Sequence, residues 1–240
     1  MTIATKTDAG RVRTNNEDSI LVDQKRGIFL LADGMGGHNA GEVASKLAVD
    51  AAHDYLKDRI STIESDDELL SALDAAIMRA HEAIKESAHA SDIQLRGMGT
   101  TLVALVTKNE KAYICHAGDS RAYLLRDSLK QLTKDHTMGE YLVEQKIMSR
   151  EKVPAQQWHT LTQAVGTGEN LIPDKNKIGL KSGDILLLCS DGLTDMLENV
   201  EIAALLKNDK NNMNKIADSL LAEANNRGGR DNISLILVTI

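Results

Sequence analysis

Cysteine, proline and aromatic residues are scarce in this 240-residue chain, with two Cys, two Pro, one Trp, one Phe and four Tyr. Cys115 and Cys189 show no C-x-x-C spacing, which argues against a zinc ribbon. Both sit in apolar runs and are expected to be core thiols in a reducing compartment. No Pro/Ser-rich linker or low-complexity segment divides the chain, so residues 1–240 read as one domain. Positive charge is the minority: 28 Lys and Arg face 35 Asp and Glu, a net charge of −7. That balance argues against non-specific nucleic-acid binding, which needs cations to neutralise phosphates. It suits carboxylates gathered around cations. The N-terminal "MTIATKTDAGRVR" has no apolar signal region, and no run approaches a membrane span. The expectation is a cytoplasmic protein without a membrane partner.

What the chain does have is 42% hydrophobic residues, enough for a substantial core. "SILV" (19–22) and "GIFLLA" (27–32) read as a hairpin. Ala44, Leu47, Ala48, Ala51, Ala52 and Tyr55 form one helical stripe, and Leu69, Leu70, Leu73, Ile77, Ala80 and Ile84 another. Ser65 with Glu68 is a capping-box pattern at the start of the second helix. "MGTTLVALVT", "KAYICHAG" and "RAYLLRD" read as three successive strands of an antiparallel meander. "DILLLCS" and "NISLILVTI" are two more strands, with a short helix around Ile202–Leu206 and a longer one from Met213 to Ala224 between them. Residues 134–180 fit this scheme least. They read as a partly helical, partly irregular surface subdomain in which Trp158 packs. Strands and helices come in blocks, which favours α+β layering over a doubly wound sheet.

Four acids recur in one setting, beside glycine at the end of an apolar segment: Asp33 in "ADGMGG", Asp119 in "HAGDSR", Asp191 in "CSDGL" and Asp231 in "GGRDN". A fifth acidic pair, Glu17-Asp18, lies in "RTNNEDS". One Asp-Gly is ordinarily a turn. Several converging acids repel one another unless protons or cations compensate, and hard oxygen ligands suit Mg²⁺ or Mn²⁺. "DGMGGH" lacks the third glycine of G-x-G-x-x-G and any following Lys-Ser/Thr, so it is not read as a nucleotide loop. Arg11 and Arg13 precede the acidic pair, and an arginine fork matches phosphate oxygens. His38 is read as a loop histidine, His116 as structural, and His136 has no assigned role. Ser120 and Ser190 lack a G-x-S-x-G elbow, which disfavours a serine nucleophile.

Taken in order, "VRTNNED", "ADGMGGHNAGEVAS", "GMGTTLVAL", "HAGDSRAYLL", "LTKDH", "LLLCSDGLTD" and "GGRDNIS" resemble the metal-dependent Ser/Thr protein phosphatases of type 2C in their compact bacterial form. The resemblance covers essentially the whole chain. It implies a four-layer αββα sandwich, two antiparallel sheets flanked by helix pairs, with a mobile flap at about 134–180. It implies two core Mn²⁺ or Mg²⁺ ions, Asp33 bridging them, the Gly34 carbonyl binding one, and Asp191 and Asp231 completing the second. Asp119 with Asp191 matches a third, weaker metal site. Asp18 would orient water from behind, and Arg13 would bind phosphate. The implied activity is hydrolysis of phosphoserine and phosphothreonine on proteins by metal-activated water, without a covalent intermediate. Substrates of a bacterial Ser/Thr kinase are the expected partners, and a monomer is expected. Met35 stands where some relatives carry a leaving-group histidine, and Gln163 where many carry a flap arginine. Two alternatives stay open: an inactive phosphoprotein-binding module and a small-molecule phosphatase.

Overall fold

Along one strand, Phe29 and Leu31 join one apolar cluster while Ile28, Leu30 and Ala32 join another, and all five are fully buried. A strand covered on both faces reads as a continuous apolar run, which is how "IFLLA" appears in the sequence. The computed structural model describes residues 1–36, 40–90, 95, 97–208 and 212–240. One sheet has the order β2 (Asp18–Asp23), β3 (Ile28–Met35), β5 (Leu102–Lys108), β6 (Lys111–Ala117) and β9 (Asp174–Gly179), with the short β4 (Gly99–Thr100) paired to β3. The other has the order β1 (Thr2–Asp8), β11 (Ile233–Thr239), β10 (Ile185–Cys189), β7 (Arg121–Leu125) and β8 (Leu129–Gln131). Every pairing is antiparallel.

Three apolar clusters make the layers. Between the sheets, Phe29, Leu31, Val103 and Leu105 meet Leu186, Leu188, Ile236 and Val238. Outside the first sheet, α1 (Ala40–Leu56) and α2 (Asp66–Ala90) lay Ala44, Ala48, Leu73, Ile77 and Ile84 on Leu30, Ala104 and Cys115. Outside the second, α4 (Asp191–Thr194), α5 (Asn199–Asn208) and α6 (Met213–Asn226) cover Tyr123, Leu187, Cys189 and Leu235. The αββα sandwich is therefore present, and both cysteines are free and buried in it. The capping box forms as the spacing predicts. Glu68 N donates to Ser65 Oγ at 3.2 Å and Ser65 N to Glu68 Oε2 at 3.3 Å.

The meander does not form. β5 and β6 pair, but β7 enters the opposite sheet between β10 and β8. Gly118 sits at φ +104°, with Thr101 Cγ2 only 2.6 Å from where a Cβ would be. The chain therefore crosses between sheets there instead of folding back. Strand spacing is the same for both outcomes, so the sequence pattern does not separate them. β1, β8 and β9 were not anticipated. Residues 174–179, the last part of the segment expected to form the surface subdomain, are an edge strand on β6. Within the rest of that segment α3 (Met138–Glu144) is a short helix and Ala155–His159 a 3-10 turn. Trp158 packs there on Gly139 and under the Arg150 guanidinium.

Antiparallel pairing also decides where the loops go. Asp18 lies opposite Asp33, Leu102 opposite Ala117, and Arg121 opposite Cys189. The C-terminal ends of β3, β6 and β10 thus share one edge with the N-terminal ends of β2, β5, β7 and β11. All five singled-out acids lie at those ends.

Candidate metal centre

One cavity of about 450 Å³ opens at that edge, and Asp33, Gly34, Asp119, Asp191, Asp231 and Arg13 all line it. Asp18 lies behind the lining, buried, where Ser190 Oγ donates to its Oδ2 at 2.9 Å. The residues predicted from widely separated motifs are thus brought together. Among the described residues no three of these four carboxylates offer oxygens within 4.8 Å of one another. The tight groups of three possible ligands among the described residues, within 4.8 Å of one another, are His159 with Asp191 and Asp195, and His116 with His136 and Asp174.

The electrostatics are those of crowded anions. Burial, then the charges of Asp18, Asp191, Asp119 and Asp231, push the Asp33 carboxyl well above the ordinary carboxylate range. Burial, then Asp119, Asp195 and Asp231, do the same to Asp191. Asp119 is pushed up to about 6 by burial and Asp135. Asp18 is also pushed up to about 6 by burial, against the opposing hydroxyls of Ser234 and Ser190. Oδ1 of Asp191 and Oδ1 of Asp18 are buried with no hydrogen-bond partner among the described residues. A buried carboxylate oxygen without a donor is costly, and an all-oxygen ring of this charge fits a hard divalent cation.

The scaffold around Asp33 is built by residues that the sequence did not single out. Thr101 N donates to Asp33 O at 2.8 Å, and Asp33 N to Thr101 Oγ1 at 2.9 Å. The same hydroxyl meets Ser120 Oγ at 2.7 Å, which ties "GTT" to "GDSR". Asn232 pins the Arg13 loop. Its Nδ2 donates to Asn15 O at 2.8 Å, and its Oδ1 accepts from Glu17 N at 2.8 Å. Ser120 and Asn232 directly follow motif acids in the sequence, which was the available signal; Thr101 stands beside no acid and offered none. Asp195 was also missed, although it sits one helical turn after Asp191 and its N–H donates to Asp191 O at 2.8 Å. His159, from the 3-10 turn, reaches Asp195 at 3.4 Å.

Arg13 is found on Asp231, with Nη2 donating to Oδ2 at 2.6 Å, while Asn232 N donates to Oδ1 at 2.8 Å. Hydrogen bonding to Asp231, then its charge, raises the Arg13 pKa. His116 and His136 stack with centroids 4.8 Å apart. His116 Nε2 lies 2.7 Å from Lys134 O and His136 Nε2 3.3 Å from Asp174. The Nδ1 of His136 accepts from Gly118 N at 3.3 Å, so each ring is hydrogen-bonded to the backbone. Ser190 is fully buried, in keeping with its exclusion as a nucleophile. Gln163 Oε1 accepts from Ile172 N at 2.8 Å and closes its own loop. His38 lies outside the described residues.

Gly34 is required by space. A Cβ there would lie 2.1 Å from Gly41 O and 2.5 Å from Glu17 O, both backbone atoms. Gly34→Ala therefore forces α1 and the acidic loop apart. Its expected result is a loss of about 2–4 kcal/mol of stability by overpacking together with loss of divalent-ion binding, read by urea unfolding and by calorimetric titration with Mn²⁺. Unchanged values for both would show that the edge yields freely.

An αββα sandwich with a ring of carboxylates at one edge defines a class of metal-centred hydrolase scaffold. Residues 8–233 match the family described as Protein phosphatase 2C. The chain is 37% identical over 238 residues to a serine/threonine phosphatase of Listeria innocua, covering 97% of this chain and 93% of that one. The solved serine/threonine phosphatase PstP of Mycobacterium tuberculosis superposes with a TM-score of 0.88 at 37% identity, covering 100% of this chain and 98% of that one. A PstP catalytic domain in complex with 2 manganese ions matches with a TM-score of 0.84 at 36% identity, over 98% and 96% of the two chains. The chain belongs to the protein phosphatase 2C family.

Proposed function

We propose that this chain is a Mn²⁺- or Mg²⁺-dependent phosphatase that hydrolyses phosphoserine and phosphothreonine on proteins. The observation that carries this reading is the edge cavity: four aspartates held so close that protons or cations must compensate, with an arginine among them. Two divalent ions bound there supply a lowered pKa for water and neutralise the phosphate dianion. Asp33, the Gly34 carbonyl, Asp191 and Asp231 are the proposed ligands, and Asp119 with Asp191 holds a third ion. Asp18, buried behind the lining and fixed by the Ser190 hydroxyl that donates to it, would orient water from behind. Arg13, now paired with Asp231, would be released to bind the non-attacked phosphate oxygens if Asp231 served as a metal ligand. Ser190 and the two cysteines are buried, which agrees with a mechanism that uses water rather than one of these side chains as nucleophile.

The finer parts of the same reading are a single catalytic domain, a flap over the cavity, and a monomer acting in the cytoplasm on products of a Ser/Thr kinase. Among the described residues no helix is long and apolar enough to cross a membrane. The test is turnover of a phosphothreonyl peptide and of p-nitrophenyl phosphate, with Mn²⁺ and with chelator. Peptide turnover that needs Mn²⁺ is expected. Turnover of neither substrate would favour a binding module, and turnover of the small ester alone a small-molecule phosphatase.

A further inference from the structure

The loop 164–168 is a wall with two faces. On one face, Ala164 and Thr167 line the acidic cavity. On the other, the loop is fastened to α2: Gly166 N donates to His81 Nδ1 at 3.0 Å, and Lys85 Nζ to Gly168 O at 3.1 Å. Gly166 sits at φ +89°, and a Cβ there would lie 2.3 Å from Ile84 Cγ2, so the loop lies flush on the helix.

Along the same face of α2 runs a second cavity of about 650 Å³, whose walls include Met78, His81, Glu82, Glu86, Ala90 and Glu169. His81 is 3% exposed. Its Nδ1 lone pair is taken by Gly166 N–H, so the ring proton of the neutral imidazole is on Nε2. That Nε2 is buried just beneath the cavity wall and has no partner among the described residues, so an incoming acceptor reaches it only as a neighbouring side chain moves aside. A metal is a poor occupant, because ligation by Nε2 would displace this proton while Nδ1 already accepts. The ligand must bring an acceptor. Charge adds a second requirement. Glu82, Glu86 and Glu169 are exposed carboxylates; the same lining carries the Lys85 ammonium, which donates to Gly168 O and keeps its charge, and His89, so acids outnumber cations without excluding them. The one ion pair among these acids, Glu82 with Arg79 at 3.4 Å, is more than half exposed on both sides and weak. Length is a third. Lining residues recur from Met78 to Ala90, about 18 Å of helix at 1.5 Å per residue, which suits about five residues of extended chain.

We propose that this cavity is a docking site for a basic peptide segment, whose backbone carbonyl accepts from His81 Nε2–H while its cationic side chains lie against Glu82, Glu86 and Glu169. Because His81 also holds Gly166, the occupant sits one loop thickness from the acidic cavity and is felt by its wall.

The experiment is a titration of the ¹⁵N-labelled, Mg²⁺-loaded full chain, followed by NMR, with the peptide acetyl-Ala-Lys-Ala-Lys-amide. The expected result is a saturable shift of both the Gly166 amide and the His81 Nε2–H signals. The triple variant Glu82→Gln, Glu86→Gln, Glu169→Gln changes only exposed side chains and should weaken the dissociation constant about tenfold, the scale of three exposed charge contacts. Spermidine, a cation with no carbonyl, should leave His81 Nε2–H unshifted. The proposal is overturned if the peptide gives no saturable shift at His81, if spermidine matches the peptide there, or if the triple variant binds as tightly as the parent. None of these readouts depends on phosphatase turnover, so they fail independently of the proposed activity.

Discussion

Asp33→Asn will lower kcat/KM for a phosphopeptide by about a thousandfold or more and, in chelator-treated protein, raise the thermal unfolding midpoint. The activity loss follows from removing the carboxylate proposed to lie between two cations, whose electrostatic contribution amounts to several kcal/mol. The stability gain has the same origin. Without cations the Asp33 carboxyl is disfavoured by burial and by Asp18, Asp191, Asp119 and Asp231. An amide of the same shape removes that charge, and its hydrogens can donate to the neighbouring carboxylates. A gain of about 1–2 kcal/mol is expected for relieving such a group, a rise of several degrees for a domain of this size. The backbone clamps of Asp33 run through Thr100 and Thr101 and do not use the carboxylate, so the fold survives. Saturating Mn²⁺ should stabilise the parent strongly and the variant little. Undiminished turnover, or a lowered midpoint with chelator, would contradict the assignment of Asp33.

The second large effect is on pH. Chelator-treated protein should lose stability as the pH rises from about 4 to above 6, and saturating Mn²⁺ should restore it. Asp18 and Asp119 are held at about 6 in the folded chain, and Asp33 and Asp191 are also raised. Their folded values exceed those of the unfolded chain, so the folded state binds more protons across this window. The associated stability is complete below the unfolded pKa and is lost as the pH rises through the folded one. A carboxyl raised by about two units corresponds to about 3 kcal/mol, and several act together. Asp23, Asp66 and Asp184 shift the other way through their hydrogen bonds to His53, Lys111 and Arg126. Their depressed values make their contribution complete above the unfolded pKa and lost only at lower pH, so they do not offset the trend. Cations need the deprotonated acids, so Mn²⁺ binding should release protons and flatten the profile. Urea midpoints at pH 4.5, 6.0 and 7.5, with chelator and with Mn²⁺, measure this. His81 and His116, lowered by burial, contribute in the opposite sense as the pH rises towards the unfolded imidazole range. The decisive outcome is therefore a chelator profile identical in the parent and in Asp33→Asn, which would mean that the acids do not feel one another.

Much of the fold was legible because burial writes itself into local pattern. The 3.6-residue stripe of α2 and its Ser65–Glu68 cap appear as the spacing predicts, and so does the β2–β3 pair. What misled was sheet membership. "KAYICHAG" and "RAYLLRD" are strands, yet Gly118 sends the second to the other sheet. β1 hides in the polar "TIATKTD" because only Ala4 of it is fully covered. The candidate site shows the same division. Its acids were visible as Asp beside Gly at strand ends. The Thr101 and Asn232 clamps, the approach of His159 to Asp195 and the pairing of Arg13 with Asp231 were not.

By itself the sequence determined which segments bury their faces, which acids stand at their ends and which family carries such an order of motifs, because these depend on neighbours within a few residues. Only the tertiary structure decided that Asp18, Asp33, Asp119, Asp191 and Asp231 share one edge, and that loop 164–168 separates two cavities. Those facts come from antiparallel register and sheet crossing, where residues more than a hundred positions apart become neighbours and electrostatic repulsion first acts between them.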